Sequence, residues 1–464
     1  MNESYIEKGV SIKAVNTFFE NSGERNNEIR CVEIFSKGKE VLKIAQPPFS
    51  LQDKAEVYSL SKTFTATAIG ILCDRGLLSV EDYVVDIFPD KCPEKISENL
   101  KKLKVKHLLS MNTGQSGCCM GMMFRAEDAV KEFLKTEFTF EPGTHFAYNT
   151  GATCMLSAIV ERKSRESLFE FVTENLFHPL GIRNSRWNGI DDGTIEGGVG
   201  LHISCDDILK LGQLYLNKGV FEEKRILSEK WVEEATAFIS DNNGNGTPDW
   251  CAGYGYQIWL NDKEGYRGDG AMGQFCIVLP NHDAVVAMTT VCADMQGMLE
   301  DVYKLIDNLY DSGENILFQS LEAETFAKCR PQEYDFMNKY ITLAENPFGF
   351  SKVLIEYESD CLAVRFVNRF SEQTVYAGNG EYKKSRWRAS WKKPKLLGLM
   401  HAEREEEIYV ASIFKVENNK ITILMKHLNN PMNEYMIIGE NKGKLYIEFK
   451  CDFLAENARL LRGK

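Results

Sequence analysis

The stretch that decides the fold reads, from residue 57 to residue 72, Val57-Tyr58-Ser59-Leu60-Ser61-Lys62-Thr63-Phe64-Thr65-Ala66-Thr67-Ala68-Ile69-Gly70-Ile71-Leu72. Its apolar character predicts a helix over about residues 58–76, ending at Arg75-Gly76 with a basic residue followed by glycine. Residues three apart share one helix face, so Ser59 and Lys62 can touch. A lysine held beside a serine in a dry pocket can lose its own proton and take that of the serine.

The Ser-x-x-Lys pattern is weak alone, because it occurs four times, starting at Ser36, Ser59, Ser390 and Ser412. The first lies in a predicted hairpin turn and the third in a basic cluster. The fourth lies on a β-like run, where residues three apart face opposite sides. Only Ser59 begins a helix. There its backbone N–H can help to bind an oxyanion, and the positive helix end favours the alkoxide.

A Ser/Lys pair needs a further group that relays the proton to a leaving group. Tyr148, just before a second predicted helix, is the best candidate, and the alternative interpretation makes it a packed aromatic residue. A competing Tyr-x-Asn begins at Tyr215, late in an amphipathic helix that a capping box opens at Ser204. Its position there is typical of a packing residue, so Tyr148 is preferred.

The strand pattern predicts an α/β (α+β) domain. Residues 28–46 read as a hairpin, and alternating segments between residues 253 and 292 read as antiparallel strands over 255–260, 273–279 and 284–290. A long helical middle separates these two groups. We therefore predict one antiparallel sheet whose strands come from both ends, with helices on its faces and a helical subdomain beside it.

The sequence changes character near residue 315, so we predict two domains, residues 1–315 and residues 316–464. The second contains short β-rich runs at a spacing typical of a small all-β barrel or sandwich. These runs are Val353–Tyr357, Leu362–Phe366, Ile408–Ile413, Ile421–Met425 and Leu445–Phe449. The sequence leaves open whether this domain is a lid on the pocket, an oligomer contact or a ligand-binding barrel.

The charge balance excludes a general affinity for nucleic acid or for anionic membrane. Lys+Arg number 55 and Asp+Glu 67, a net charge of −12. One basic cluster could still be drawn as a nucleic-acid face, but a solvated hairpin with inward tryptophans fits an acidic chain better. Its members are Lys383, Lys384, Arg386, Trp387, Arg388, Trp391, Lys392, Lys393 and Lys395.

Targeting and metal signals are weak throughout. The N-terminus has no apolar h-region, and no run of about 18 apolar residues occurs, so we predict a cytoplasmic protein without a membrane span. The thirteen cysteines include no Cys-x-x-Cys pair and no Cys/His cluster at metal spacing. We therefore expect reduced thiols, no metal and no cofactor.

Six short motifs occur along the chain in the order in which one protein family has them. They are Tyr58–Thr65, Gly76–Asp82, Lys106–Ser110, Pro142-Gly143-Thr144 with Tyr148, His178–Ile182 and Gly212–Tyr215. With them the chain resembles the serine β-lactamase-like family over about residues 28–310. That family includes class C β-lactamases, D-alanyl-D-alanine carboxypeptidases, D-aminopeptidases and esterases.

The resemblance implies Ser59 as the acylated nucleophile, Lys62 as its general-base partner and Tyr148 as the proton shuttle. Thr150 stands where the family's Tyr-x-Asn or Tyr-x-Ser motif has its third residue. Threonine keeps a hydroxyl but lacks the amide. The family's contact to a substrate amide is therefore altered here.

The family's third motif, Lys-Thr-Gly or His-x-Gly, is expected on a strand beside the nucleophile, with Tyr266-Arg267-Gly268 as the preferred match. Lysine and histidine are absent, although Arg267 would restore a positive charge if it turned inward. The second oxyanion N–H is expected at Asp269, or within two residues of it. Carboxylate-bearing β-lactams and peptides usually need a cation at this position, so its replacement disfavours true β-lactamase activity.

The predicted function is that of a metal-free serine hydrolase which cleaves a small ester or amide through an acyl-enzyme on Ser59. One alternative is β-lactamase or D-amino-acid peptidase activity. Another is a catalytically weak binding or assembly module on the same fold. The oligomeric state stays open.

Overall fold

The computed structural model of the chain describes residues 4–189, 193–194, 196–311, 326–329, 334–346, 348–387, 408–451 and 459–463. The chain divides into two compact units, one of Met1–Ala45 with Ser50–Phe318 and the other of Gln46–Phe49 with Gln319–Lys464. The predicted boundary between residues 315 and 316 lies outside the described residues. No helix in the described ranges has the length and apolarity that crossing a membrane requires.

The strands of the first unit come from both ends of its sequence. They are β1 (Tyr5–Ile6), β2 (Glu28–Ser36), β3 (Lys39–Ala45), β4 (Ala55–Glu56), β5 (Arg186–Trp187), β6 (Leu201–Ile203), β7 (Val220–Phe221), β8 (Lys224–Arg225), β9 (Trp259–Leu260), β10 (Tyr266–Gly270), β11 (Gln274–Leu279) and β12 (Ala284–Val291). Among the described residues, seven of them form one sheet in the order β1-β3-β2-β12-β11-β10-β9. The antiparallel pairing of β12 with β2 joins the early hairpin to the late strands, as predicted.

Most helices of this unit lie in the middle of its sequence, between β3 and β12. The helices are α1 (Ile12–Glu24), α2 (Ser61–Asp74), α3 (Val84–Ile87), α4 (Glu98–Lys101), α5 (Val105–Leu109), α6 (Met120–Met123), α7 (Ala129–Lys135), α8 (Thr150–Ser164), α9 (Leu168–Val172), α10 (Cys205–Leu216), α11 (Glu229–Ala235) and α12 (Met295–Asp307). The predicted capping box opens α10, where Oγ of Ser204 accepts the Asp207 N–H. That helix packs closely on the sheet, because a Cβ at Gly212 would lie 2.3 Å from Cγ1 of Val285.

One predicted strand differs from the structure. The strand predicted over residues 255–260 is wrong except for Trp259 and Leu260, which form β9. Gln257 interrupts it with a left-handed φ of 58°. The Gln257 side-chain amide donates to the carbonyls of Leu108 (3.0 Å) and Leu109 (2.8 Å) at the end of α5. The residue thus satisfies a helix terminus, which a regular strand position would prevent.

The second unit is all-β. Its strands are β13 (Ile341–Thr342), β14 (Lys352–Glu358), β15 (Cys361–Val367), β16 (Glu372–Gly378), β17 (Lys383–Trp387), β18 (Ile408–Glu417), β19 (Lys420–His427), β20 (Asn433–Asn441), β21 (Lys444–Cys451) and β22 (Arg459–Arg462). They form one sheet in the described ranges. A bridge between Leu343, after β13, and Gly463, after β22, closes that sheet on itself. Of the two predicted architectures, the structure therefore has the barrel.

Aromatic side chains fill the barrel. Phe366, Trp387 and Phe449 are each 0% exposed, and Phe350 packs with them. The inward orientation predicted for the tryptophans of the basic cluster holds for Trp387. Trp391 lies outside the described residues.

Candidate active site

A strained turn presents Ser59. The residue lies in a 3₁₀ turn, Tyr58–Leu60, and α2 begins only at Ser61, so the predicted helix starts slightly later than expected. Tyr58 has a φ of 45°, which is unfavourable for a bulky residue and typically costs about 1–3 kcal/mol. Oγ of Ser61 donates to the Tyr58 carbonyl (2.6 Å) and accepts the N–H of Leu201 (3.2 Å). Ser61 therefore ties the turn to β6.

Lys62 lies in the first turn of α2 and reaches Ser59. Its Nζ is 2.9 Å from Oγ of Ser59 and donates to the carbonyl of Gly198 at 2.7 Å. The side chain is 1% exposed. Loss of water around it lowers the pKa of Lys62 to about 8. A neutral amine can keep its hydrogen bond to Gly198 while its lone pair accepts the serine proton.

Tyr148 joins the same group from the start of α8. Asn149 caps that helix by accepting the Gly151 N–H at 2.9 Å, which fixes the residue before it. The Tyr148 ring stacks on Trp259 at 5.3 Å between centroids, and its centroid is 5.0 Å from Nζ of Lys62. Burial raises the pKa of Tyr148, while nearby Ser59 lowers it by less. The phenol therefore keeps its proton at neutral pH and can donate it.

Thr150 supports the segment that holds Lys62. It is 1% exposed, and a Cβ at Gly198 would lie only 2.5 Å from Cγ2 of Thr150. The neighbouring carbonyl of Gly197 accepts Oγ1 of Thr65, on α2, at 2.7 Å. The Gly197–Gly198 segment is a part of the site that sequence reasoning missed, since only the fold brings it to α2.

Strand β10 passes close to the turn that carries Ser59. A Cβ at Gly268 would meet Oγ1 of Thr63 at 2.4 Å and Cδ1 of Leu60 at 2.6 Å, so glycine is required there. Within the described chain, β9 pairs only with Tyr266 and Arg267 of β10. From Gly268 onward, the side of β10 opposite β11 therefore has no strand partner in the described chain. This is the edge at which the second oxyanion N–H is predicted.

Tyr266 and Arg267 are both turned toward protein. The Tyr266 ring packs edge-on against Tyr215 at 6.4 Å. Arg267 is 0% exposed, and its Nη1 donates to Oδ1 of Asn261 at 2.9 Å and to a backbone carbonyl of β9. Its Nη2 donates to the Asp249 carbonyl at 3.0 Å. The positive charge expected from Arg267 is thus present, but it is enclosed by protein.

Asp269 is the ion partner of Arg267. Nε of Arg267 donates to Oδ2 of Asp269 at 3.0 Å, and Asp269 is 7% exposed. The negative charge of Asp269 favours the charged form of Lys62 and raises its pKa, against the larger lowering by burial. Sequence reasoning considered only the backbone N–H of Asp269 and missed this side-chain pair, because strand sequence alone does not show which groups face it. Within the described ranges, no cluster of three or more His, Cys, Asp or Glu side chains could hold a metal ion.

Comparison with known proteins gives a consistent family. A family model described as Beta-lactamase matches residues 32–303, which confirms the resemblance predicted from the sequence. The octameric penicillin-binding protein homologue from Pyrococcus abyssi, a solved structure, is 16% identical and has a TM-score of 0.52. It covers 97% of this chain and 99% of its own, so the likeness in fold extends over helices, antiparallel sheet and all-β unit.

Two similar proteins are named as a penicillin-binding protein and as a hydrolase. Penicillin-binding protein 4* of Bacillus subtilis (strain 168) is 25% identical over 194 residues, covering 38% of this chain and 41% of that protein. The chain thus matches less than half of that relative. 6-Aminohexanoate-dimer hydrolase of Paenarthrobacter ureafaciens is 24% identical over 329 residues, covering 61% of this chain and 81% of that protein.

Proposed function

Because the chain belongs to the β-lactamase family, we propose that it is a serine hydrolase that cleaves a small ester or amide through an acyl-enzyme on Ser59. One observation carries the proposal. Nζ of Lys62, an amine whose pKa is lowered to about 8, lies 2.9 Å from Oγ of Ser59. A group of that pKa is partly neutral at pH 7 and can act as a base at the distance that proton transfer needs.

In the acylation step, Oγ of Ser59 attacks the carbonyl carbon and its proton passes to Nζ of Lys62. The oxyanion formed is stabilised by the backbone N–H of Ser59 and by an N–H of β10 near Asp269. The leaving alkoxide or amine takes the Tyr148 proton, and the phenol is reprotonated from Lys62. The acyl group then remains on Ser59, and Lys62 is neutral again.

In the deacylation step, a water molecule takes the place of the leaving group. It gives a proton to the Tyr148–Lys62 pair as its oxygen attacks the acyl carbon, and the pair returns that proton to Ser59. The products are the carboxylic acid and the free enzyme. Tyr148 suits this shuttle because its raised pKa keeps it a donor between the two half-reactions.

The other candidate functions have less support. A binding module without catalysis would not need a lysine within 2.9 Å of a serine at a strained turn. β-Lactamase activity would use a cation open to the substrate, and Arg267 is 0% exposed. Hydrolysis of D-amino-acid amides stays a prediction for the substrate panel described next.

The test combines covalent labelling with turnover. We expect a fluorophosphonate probe to label Ser59, as read by mass spectrometry of the digested protein. Ser59→Ala should lose both the label and the hydrolysis of a panel of nitrophenyl esters, anilides, D-amino-acid amides and a chromogenic cephalosporin. Ser412→Ala is the matched control, because it removes another Ser-x-x-Lys serine. Folded wild-type protein without label, together with turnover unchanged in Ser59→Ala, would refute the proposal.

A further inference from the structure

Arg267 is surrounded by acceptors from its own chain. Each of its three nitrogen atoms donates to a protein oxygen, and its guanidinium carbon lies 4.5 Å from the ring centroid of Trp250. Two carboxylates converge on it, Asp269 at 3.0 Å and Asp249 at 3.9 Å. The positive charge is therefore neutralised inside the protein and is not available to a substrate carboxylate.

Asp269 offers the opposite charge to the pocket. Its Oδ2 accepts Nε of Arg267, whereas no described residue donates a hydrogen bond to its Oδ1. Asp269 is 7% exposed, and its Oδ1 is not fully buried. The carboxylate interacts electrostatically with both Lys62 and Tyr148. The guanidinium of Arg267, which holds Asp269, lies 5.9 Å from the ring centroid of Trp259, and that ring stacks on Tyr148. The partly exposed carboxylate of Asp269 therefore lies on the side of β10 where Tyr148 packs.

The surrounding charges do not cancel this anion. Asp249 adds a second negative charge behind Arg267, and its own oxygens are held by Tyr303 (2.5 Å) and Gln296 (2.8 Å). Lys62 is the other cation in the group, and it must be neutral to act as the base. With Lys62 neutral, one guanidinium faces two carboxylates, so this part of β10 carries a net negative charge when Asp269 is ionised. Burial raises the pKa of Asp269, and its ion pair with Arg267 opposes that shift.

We propose that Asp269 is a subsite for a protonated amine, so that the preferred substrates are esters or amides whose acyl group carries an ammonium. The inference deepens the proposed hydrolase function and rests on it for its kinetic test. An ammonium can donate a charge-assisted hydrogen bond to Oδ1, which is worth more in a site with little water. A carboxylate in the same place would meet a like charge. Arg267 acts as a positioning residue that holds Asp269 in its orientation.

The kinetic test uses matched nitrophenyl esters of two acyl lengths. The shorter set is β-alanyl, butyryl and malonyl, and the longer set is 5-aminopentanoyl, hexanoyl and glutaryl. In each set the acyl group ends in an ammonium, a methyl or a carboxylate. We expect wild-type kcat/KM to be about tenfold or more higher for the ammonium ester than for the neutral one in at least one set. In Asp269→Asn that ratio should fall toward one.

The ratio is the readout because any loss common to both esters cancels. Asp307→Asn, which removes an exposed carboxylate on α12, should leave the ratio at its wild-type value. A wild-type ratio of one or less in both sets, or a high ratio that Asp269→Asn does not change, would overturn the proposal. Turnover of neutral esters that does not depend on Ser59 would instead refute the hydrolase function.

A binding measurement tests the subsite even if no ester is hydrolysed or Asp269→Asn does not fold. Ser59→Ala should bind n-butylammonium more tightly than n-butanol by calorimetry, by about tenfold or more. This comparison needs neither catalysis nor a folded Asp269→Asn variant. Equal affinity for the two probes would overturn the subsite whatever the outcome for hydrolysis.

Discussion

Lys62 and Arg267 are two buried cations of one site, and their surroundings give them opposite properties. They are 1% and 0% exposed, respectively. Among the described residues, the nitrogen of Lys62 has hydrogen bonds to a hydroxyl and to a backbone carbonyl, and burial lowers its pKa to about 8. Arg267 is paired with carboxylates and covered by indole rings. Burial without a paired carboxylate lowers the pKa of Lys62, so that its amine can accept a proton. Burial beside two carboxylates leaves Arg267 charged and part of the structural network.

The largest expected effect comes from replacing Lys62. Lys62→Met should lower kcat for a neutral ester by about 10³-fold or more, because Ser59 loses its base. Steady-state ester turnover, with circular dichroism to check folding, measures it. Lys415→Met is the control, since it removes the lysine of another Ser-x-x-Lys pattern in the barrel. A folded Lys62→Met enzyme within tenfold of wild type would show that Lys62 is not the base.

The next largest effect comes from replacing Arg267 and concerns stability. Arg267→Met should lower the free energy of unfolding by about 3–5 kcal/mol, since Asp249 and Asp269 would stay buried without their counter-charge. Urea unfolding followed by fluorescence measures it. Arg162→Met, which removes an ion pair with 39% and 53% exposed side chains, should cost under about 1 kcal/mol. A similarly small loss for Arg267→Met would mean that the buried network contributes little.

Glu33 extends the comparison to a buried anion. It is 0% exposed, and neither carboxylate oxygen has a hydrogen-bond partner in the described chain, although Nζ of Lys43 lies 3.5 Å away. Burial raises the pKa of Glu33 from 4.5 to about 8. Between these two pH values the folded state holds a proton that the unfolded state releases, so the contribution of Glu33 to stability is largest below pH 4.5 and is lost as pH rises through about 8.

Glu33→Gln should therefore stabilise the protein at pH 8.5 by roughly 1–3 kcal/mol and have little effect near pH 4.5. Thermal and urea unfolding at both pH values measure the difference. Glu40→Gln is the control, since its carboxylate is 41% exposed and also contacts Lys43. Equal effects of Glu33→Gln at the two pH values would contradict a buried protonated carboxyl.

The smallest effect sharpens the role of Asp269. Wild-type kcat/KM for a neutral ester should rise about tenfold per pH unit and level off above pH 8, as Lys62 loses its proton. Because the charge of Asp269 raises the pKa of Lys62, Asp269→Asn should move the midpoint of this pH profile downward. Asp307→Asn serves again as control. A midpoint that moves upward would mean that Asp269 does not act on Lys62 through its charge.

Sequence reasoning could select the candidate reactive residues, which the structure brings together, because their signals are local. The Ser59–Lys62 spacing, the helix after it and the position of Tyr148 before α8 all lie within short segments. The joining of β2 to β12 was also predictable, since two hydrophobic strand groups flank a helical middle. Their catalytic roles remain predictions that the labelling and turnover experiments address.

The surroundings of those residues could not be predicted in the same way. Gly198 reaches Lys62 over 136 positions of sequence, and Asp249 reaches Arg267 from a short 3₁₀ turn, Pro248–Trp250. Such contacts depend on how distant loops return to the site, which neither periodicity nor spacing encodes. The direction of Arg267 also depended on partners outside its own strand. The partial failure of the predicted strand at 255–260 has the same origin, since Gln257 serves another segment's carbonyls.

The backbone carbonyl that holds Lys62 has a consequence for how this site can change over evolutionary time. A main-chain oxygen persists through every substitution, so no replacement at Gly198 deletes that acceptor from the chain. A side chain there would instead press on Thr150, because its Cβ would lie 2.5 Å from the threonine methyl. The acceptor is thus robust to loss but sensitive to displacement. Few residue types should therefore be found at position 198 among related sequences. Larger residues should be tolerated there only where residue 150 is smaller than threonine.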